Sequence, residues 1–208
     1  MPVQRFMAAQ FRKPSGWFGS LFFGRFMNRV NRKIIDSTIA LLELSPQHHV
    51  LEIGFGGGVS LSSVAETVSR GMVTGIDVSP EMVRQAERRF QRQIAEGRIQ
   101  VQLGNVSQLP FPEATFDRVF TVNTIYFWPD ARQGIAEIHR VLKNGGRAAI
   151  SIRSGDKMKK YAVTKYDFRL FSPDEVADLM RQAGFRDIRV DHRDREHWYD
   201  QVVVLGTR

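Results

Sequence analysis

The sequence of 208 residues contains no cysteine, which excludes disulfide frameworks, thiolate-ligated metals and every mechanism that needs a thiolate nucleophile. No apolar run approaches the roughly 18 residues that a membrane span requires, and none resembles the apolar stretch of a secretory signal. These absences predict a soluble, cytoplasmic protein. Because 42% of the residues are hydrophobic and 25% are charged, close to the average of globular domains, we expect one catalytic unit with its own core and a short appendage.

Basic residues are unevenly distributed along the chain. Lysine and arginine outnumber aspartate and glutamate by 30 to 22, which gives a net charge of +8, and +5 of that charge falls within residues 1–50 together with seven aromatic residues. We predict that residues 1–45 form a basic, aromatic, helical arm or lid and that residues 46–208 form the main domain. Such an arm could contact nucleic acid, an anionic membrane surface or the mouth of its own active site; the alternative is a helix packed on the core with solvated arginines.

From about residue 48, short apolar runs alternate with helical patterns, which is typical of a parallel sheet with helices on both faces. Two apolar runs near the carboxyl terminus are joined by too few residues for a crossover helix, so this pair should be antiparallel. The predicted fold is α/β, a Rossmann-like, seven-stranded, mostly parallel sheet with a terminal antiparallel hairpin. Its strands are expected at residues 50–53, 72–78, 99–103, 116–122, 147–152, 188–190 and 201–206.

Cap and stop signals place the helices between these strands. Pro80 opens a helix whose buried stripe extends to Ile94, and the Asn-Gly-Gly run at 144–146 is expected to stop the helix before the fifth strand. Ser172 followed by Glu175 is a capping box, which predicts a helix start at that point.

A cluster of glycines follows the first predicted strand, in the segment LEIGFGGG. Glycines between a strand and a helix let the backbone approach a ligand closely and aim the helix amino terminus at it. A dinucleotide-binding loop would have glycine or alanine where this chain has Val59, and the carboxylate of Glu52 would repel a pyrophosphate. A ligand with an ammonium and a sulfonium group fits better. Asp77 ends the second strand, where an acid can accept from both hydroxyls of a ribose.

Four segments, LEIGFGGG, GIDVSPEMVRQAE, GNVSQLPFPEATFDRV and EIHRVLKNGGRAAIS, resemble in order and spacing the class I S-adenosylmethionine-dependent methyltransferases. The chain looks closest to the small bacterial members typified by the quinone-biosynthesis C-methyltransferases. The resemblance covers roughly residues 48–208. It implies S-adenosylmethionine as the cofactor and methyl transfer as the activity.

The resemblance also implies the residues that bind the cofactor. Asp77 would hold the ribose hydroxyls, and Met82 would lie against the adenine with Val78 near it. Asn105 stands where the family commonly has aspartate, so its amide oxygen would accept from the adenine amino group without a charge. The implied cofactor-binding residues are Glu52, Gly54, Gly56, Gly58, Asp77, Val78, Met82, Asn105, Val106 and Asn123.

The acceptor of the methyl group should lie after the fourth strand, where the segment 123–129 is rich in aromatic residues. Aromatic side chains suit a flat or apolar acceptor, or a cation held on the ring faces, although aromatics after a strand are also common in cores. The long connection 154–171 is a second candidate, as a lid or as a solvated run of charges. No catalytic base is predicted, and the five histidines show no metal-ligand spacing. The predicted acceptor contacts are Trp17, Tyr126, Trp128, Tyr161 and Tyr166.

We therefore predict S-adenosylmethionine-dependent methyl transfer to a small-molecule acceptor. The alternative is an RNA- or nucleotide-binding protein on the same fold, either an RNA methyltransferase or a non-catalytic module. Because most of the excess charge lies in the amino-terminal arm, a lid or a peripheral membrane contact is favoured over nucleic acid. The sequence leaves the acceptor atom and the oligomeric state open.

Overall fold

One seven-stranded sheet lies at the centre of the protein, in a computed structural model that describes residues 4, 5, 7, 24–166, 168–193 and 201–208. In chain order its strands are β1 (His49–Ile53), β2 (Met72–Asp77), β3 (Ile99–Leu103), β4 (Phe116–Val122), β5 (Leu142–Arg153), β6 (Arg186–His192) and β7 (Gln201–Thr207). They lie in the order β3-β2-β1-β4-β5-β7-β6. Strands β1 to β5 are parallel, whereas β7 is antiparallel to both β5 and β6. The predicted fold class is confirmed.

Helices and short 3-10 turns connect the strands. In chain order they are α1 (Gly24–Leu41), α2 (Val59–Thr67), α3 (Pro80–Arg89), α4 (Gln91–Ala95), a first 3-10 turn (Ile125–Phe127), α5 (Ala131–Val141), α6 (Gly155–Met158), a second 3-10 turn (Ala162–Lys165) and α7 (Pro173–Gln182). Helix α7 begins with the predicted capping box, in which Ser172 and Glu175 each accept a hydrogen bond from the other's backbone amide. Across the residues that the structure describes, no helix is both long and apolar enough to cross a membrane.

Two helix ends differ from the sequence-based expectation. Helix α3 stops before Phe90, whose backbone leaves helical geometry (φ −107°, ψ 19°) while its ring is buried; Ile94 lies on the separate helix α4 and packs against the same core. Helix α5 stops before Leu142, which is already extended (φ −71°, ψ 143°) and fully buried. The Asn-Gly-Gly run at 144–146 therefore lies within β5, where the pairing with β4 is irregular, and not at the helix end.

The order of the strands reverses at β1. This strand pairs with β2 on one side and with β4 on the other, so the chain fills one half of the sheet before it starts the other. In parallel α/β sheets, ligands bind at the carboxyl ends of the strands at such a point, because the connecting helices diverge there and leave a crevice. The site is therefore expected beyond Ile53 and Val122, the last residues of β1 and β4.

Apolar side chains fill both faces of the sheet. On one face α5 and α7 pack through residues such as Ile135 and Met180, and on the other α2 and α3 pack through residues such as Leu61 and Met82. All four side chains are fully buried. Both layers hold the strands in register, so the positions of their carboxyl ends are fixed by the core.

Helix α1 is anchored to the sheet at two levels. The side-chain nitrogen of Gln201 lies 3.0 Å from the carbonyl oxygen of Ile34 and 2.9 Å from the hydroxyl of Ser151, near the carboxyl end of β5. The carbonyl of Leu42 accepts from the guanidinium of Arg118 at 2.7 Å, near the start of β4. Helix α1 therefore runs antiparallel to the parallel strands, with its amino-terminal half toward the crevice edge.

Part of the predicted arm thus belongs to the packed structure. Ile34 and Ile35 on α1 are buried, as is Thr38. Ten residues of α1, 24–33, precede Ile34, and at the usual rise of a helix they extend about 15 Å beyond the level of Gln201. Residues 8–23, which include most of the predicted aromatic arm, lie outside the described residues.

Candidate cofactor and active site

The glycine loop after β1 has the backbone conformation that favours glycine. Gly54 has a φ of +74°, and a Cβ atom there would lie 2.5 Å from Cγ2 of Thr124, so this position is closed to any larger residue. Gly56 has a φ of +51°, and a Cβ there would meet nothing within 4 Å. Gly58 directly precedes α2. The loop therefore packs against the turn after β4 at its start and is open at Gly56.

Asp77 joins the end of β2 to the glycine loop. One carboxylate oxygen accepts from the amide of Gly56 at 2.9 Å, and the other accepts from the amide of Ser79 at 2.9 Å. The side chain is 7% exposed, and burial raises its pKa although the backbone donors act in the opposite direction. Because a carboxylate oxygen can accept more than one hydrogen bond, both oxygens keep capacity for a ligand.

Glu52 is a buried acid directly beneath the loop. Its Oε1 accepts from the hydroxyl of Ser60 at 2.5 Å, whereas its Oε2 is buried with no hydrogen-bond partner. Burial raises the pKa of this carboxyl to about 8, the Ser60 hydroxyl opposes that shift, and the nearby charge of Asp77 adds to it. A buried acceptor without a partner is costly, which is the condition expected of a group that receives a ligand's donor.

Asn123 lies on the other side of the crevice, just after β4. Its backbone is in the left-handed region with a φ of +58°, and its amide donates to the carbonyl of Ser151 at 2.9 Å. Its Oδ1 is buried without a partner. Asparagine tolerates this conformation better than most residues, so the turn presents the Asn123 backbone and side chain at the switch point of the sheet.

Two threonines tie the turn after β4 to β1. The Thr121 hydroxyl donates to the carbonyl of Ile53 at 2.8 Å and also contacts the hydroxyl of Thr124. Thr124 in turn accepts from the indole nitrogen of Trp128 at 3.1 Å. Neither threonine was predicted from the sequence; a threonine at the end of a buried strand is the only signal for them.

The residues expected to surround the adenine differ in exposure. Val78 is 44% exposed, and Leu103, whose backbone is paired with that of Asp77, is 55% exposed. By contrast, Met82 is 1% exposed within the core, so Val78 and Leu103 are the open apolar side chains at this edge. Leu103 was not predicted, although its place at the end of β3 could have indicated it.

Asn105 and Val106, in the loop after β3, also differ in exposure. Asn105 is exposed, and its side-chain oxygen accepts from the amide of Ser107 at 3.0 Å. Val106 is buried in the core cluster that holds α5. Its backbone, not its side chain, is the part that a ligand could reach here, and the adenine role of both residues stays a prediction.

The predicted acceptor contacts differ in exposure, and their role stays a prediction. Tyr126 and Trp128 are 3% and 7% exposed, and the Tyr126 hydroxyl accepts from the backbone amide of Arg153 at 2.5 Å. Burial raises the pKa of Tyr126, and the packing favours the core alternative for both side chains. Tyr161 is 41% exposed, and Tyr166 is half-buried on the same connection after β5. Trp17 lies outside the described residues.

A pair of aromatic rings that was not selected from the sequence lies beside Tyr126. Phe127 and Phe168 are both half-buried, and their ring centroids are 4.6 Å apart. Phe127 belongs to the first 3-10 turn, which follows Asn123, and Phe168 belongs to the connection after β5. This pair is a partly open aromatic surface at the carboxyl edge of the sheet, after β4 and β5.

The histidines that the structure describes lie away from this crevice. His48 and His49 lie at the amino end of β1, and His192 ends β6, which β7 separates from β5. Among residues 24–166, 168–193 and 201–208, no group of histidine, aspartate and glutamate could hold a metal ion. His197 lies outside the described residues.

The fold is that of class I S-adenosylmethionine-dependent methyltransferases, and comparisons with known proteins agree. The family described as "Methyltransferase domain" matches residues 51–150. The uncharacterized methyltransferase YdaC of Bacillus subtilis (strain 168) is 30% identical over 170 residues, which cover 82% of this chain and 89% of YdaC. The chain belongs to this methyltransferase family.

Further relatives extend the comparison. The chloroplastic 2-methyl-6-phytyl-1,4-hydroquinone methyltransferase 1 of Oryza sativa subsp. japonica is 30% identical over 166 residues, which cover 76% of this chain but 48% of that protein. A SAM-dependent methyltransferase from Aquifex aeolicus shares the fold, with a TM-score of 0.69 and 24% identity over 83% of this chain and 88% of that one. The chain is an S-adenosylmethionine-dependent methyltransferase, as predicted, and none of these matches favours the nucleic-acid-binding alternative.

Proposed function

We propose that this chain binds S-adenosylmethionine in the crevice between β1 and β4 and transfers the methyl group to a small, largely apolar molecule. The supporting observation is that Glu52 Oε2 and Asn123 Oδ1 are both buried acceptors without partners at this edge. The ammonium group of S-adenosylmethionine brings donors and positive charge, which these oxygens can use. A dinucleotide would instead bring a pyrophosphate, whose oxygens are acceptors and carry negative charge.

The residues present fit the rest of the cofactor. Asp77 retains acceptor capacity for the two ribose hydroxyls, and its hydrogen bond to Gly56 fixes the open part of the loop. Val78 and Leu103 offer apolar surface of the kind that an adenine ring covers. When bound, S-adenosylmethionine supplies a methyl group that is already activated by its sulfonium. The work of the chain is then to align the acceptor, hold the cofactor rigidly and exclude water.

The acceptor class follows from the aromatic surface and from one relative. Phe127 and Phe168 form a partly open aromatic pair at the carboxyl edge of the sheet, which suits a flat ring. The rice relative is named for a hydroquinone that carries a phytyl chain. We propose a phenolic or quinol-like acceptor for this chain.

Calorimetric titration tests the choice of cofactor. S-adenosylmethionine and S-adenosylhomocysteine should both give binding heat, whereas NAD⁺ and NADP⁺ should give none, because Val59 stands where a dinucleotide-binding loop needs glycine or alanine. Heat from the dinucleotides without heat from the two adenosyl ligands would refute the proposal. Transfer of a labelled methyl group to a panel of hydroquinones, with matched amines as controls, tests the acceptor class.

Binding should also release a proton that comes from Glu52. With a pKa of about 8, this carboxyl is mostly protonated at pH 7 in the free protein, and a cationic ligand favours its ionised form. The apparent affinity should therefore rise up to about tenfold between pH 7 and pH 9 and then level off. Titrations in two buffers of different ionisation enthalpy measure the released proton. Glu52→Gln should abolish the release; a release that persists in this variant would assign the proton to another group.

A further inference from the structure

The connection after β5 contains a short, well-anchored turn. Met158 and Thr164 are both buried at its base. The amide of Thr164 donates to the carbonyl of Tyr161 at 3.1 Å, and the amide of Tyr161 donates to the carbonyl of Met158 at 3.0 Å. The Thr164 hydroxyl lies 3.0 Å from the Met158 carbonyl oxygen. These bonds fix the backbone of residues 158–164. We call residues 156–165, which include this segment, the basic turn.

The exposed side of the basic turn is cationic and bears one aromatic ring. Residues 156–165 contain four lysines and one aspartate, a net charge of +3. Lys159, Lys160 and Lys165 are exposed, and Lys159 donates to Asp156 at 2.9 Å. Tyr161, between the lysines, is 41% exposed, one of the few large apolar side chains that the described residues leave open.

The basic turn lies at the same edge of the sheet as the crevice. The connection leaves β5 at its carboxyl end, where the amide of Gly155 donates to the carbonyl of Phe171 at 3.0 Å. It returns beside the first 3-10 turn, where the amide of Arg169 donates to the carbonyl of Tyr126 at 3.0 Å. The amino-terminal half of α1 extends past this edge as well.

We infer that the basic turn binds the surface of an anionic lipid bilayer and so holds the crevice against the membrane. Lysines at a bilayer surface are attracted by anionic headgroups, and a tyrosine places its ring at the headgroup level with its hydroxyl in water. A surface for single-stranded nucleic acid would instead need a groove with successive aromatic platforms, and this turn offers one ring. The inference stands on the turn alone and goes beyond the proposed methyl transfer. Binding of the basic turn to the membrane would let an acceptor that is dissolved in the bilayer enter the crevice.

Co-sedimentation of the full chain with vesicles tests the inference. We expect binding to phosphatidylcholine vesicles that contain about 30% phosphatidylglycerol, little binding to pure phosphatidylcholine, and loss of binding in about 0.5 M NaCl. Lys159→Glu/Lys160→Glu should weaken binding at least about tenfold, since each lysine near an anionic surface contributes about fivefold. Tyr161→Ala should weaken it by a smaller factor and should leave the salt dependence unchanged.

A control with the same change in net charge separates a local surface from general attraction. Arg70 and Arg186 are exposed and lie at the opposite edge of the sheet, next to β1 and at the start of β6. Arg70→Glu/Arg186→Glu should leave vesicle binding unchanged. If this control weakens binding as much as the lysine variant does, the inference is wrong. It is equally wrong if the lysine variant loses binding to single-stranded RNA while vesicles never bind. Binding of S-adenosylhomocysteine, measured in parallel, reports whether each variant is folded and keeps its cofactor site.

Discussion

Replacing Asp77 with alanine should lower the affinity for S-adenosylmethionine by at least about 100-fold, the largest effect that we expect from a single side chain in the site. Two charge-assisted hydrogen bonds to the ribose hydroxyls would be lost, at roughly 1.5 to 3 kcal/mol each. The same change removes the acceptor for the Gly56 and Ser79 amides, so the open part of the glycine loop loses its link to β2. Calorimetry of the purified variant measures the loss.

Two further variants make the Asp77 result interpretable. Asp77→Asn keeps an acceptor oxygen but no charge and should give an intermediate loss, which separates hydrogen bonding from charge. Asp178→Ala removes an exposed, ion-paired carboxylate on α7 and should change nothing. Thermal unfolding, followed for all three, shows whether the loop is still formed. Unchanged affinity in a folded Asp77→Ala protein would remove Asp77 from the cofactor site.

Much of this arrangement was predictable because it depends on local chain chemistry. The capping box of Ser172 and Glu175, and the first-turn proline of α3, act within a few residues. The glycine loop was likewise predictable, because only glycine adopts the left-handed backbone of Gly54 without cost. The spacing in the sequence also indicated that the loop, Glu52 and Asp77 lie at the carboxyl ends of neighbouring strands.

Side-chain direction in the irregular segments could not be read in the same way. The first 3-10 turn and its cap residue bury Tyr126 and Trp128 and leave Phe127 half-buried, and nothing in the alternation of residue types sets the direction of such a turn. The length of α3 was overestimated because the apolar spacing continues through Phe90, while the backbone there follows the packing of its ring instead. Glu52 Oε2 and Asn123 Oδ1 are buried without hydrogen-bond partners because of their tertiary neighbours, and no local sequence pattern contains those neighbours.

Deleting residues 1–23 should leave a folded protein with much lower turnover, by about 100-fold on the best acceptor of the hydroquinone panel. From the sequence, the aromatic residues of this segment are predicted to act as a lid. Methyl transfer requires the exclusion of water, and an open sheet edge does not provide it alone. Helix α1 is anchored by Gln201 at the level of the crevice, and its described amino-terminal half extends past that edge. Cofactor affinity should fall only a few-fold, because the loop from Glu52 onward is unchanged.

Point variants in the full chain distinguish a lid from a charged tether. If aromatic side chains close the crevice, Trp17→Ala combined with Phe22→Ala should reproduce most of the loss in turnover, whereas Arg12→Ala combined with Lys13→Ala should lower it little at saturating acceptor. Because Ile34, Ile35 and Thr38 keep their buried positions in the deletion variant, its unfolding temperature should stay close to that of the full chain. Unfolding of that variant would instead assign the aromatic residues to the core. Full turnover would show that water is excluded by another element, and the connection after β5 would then be the next segment to test.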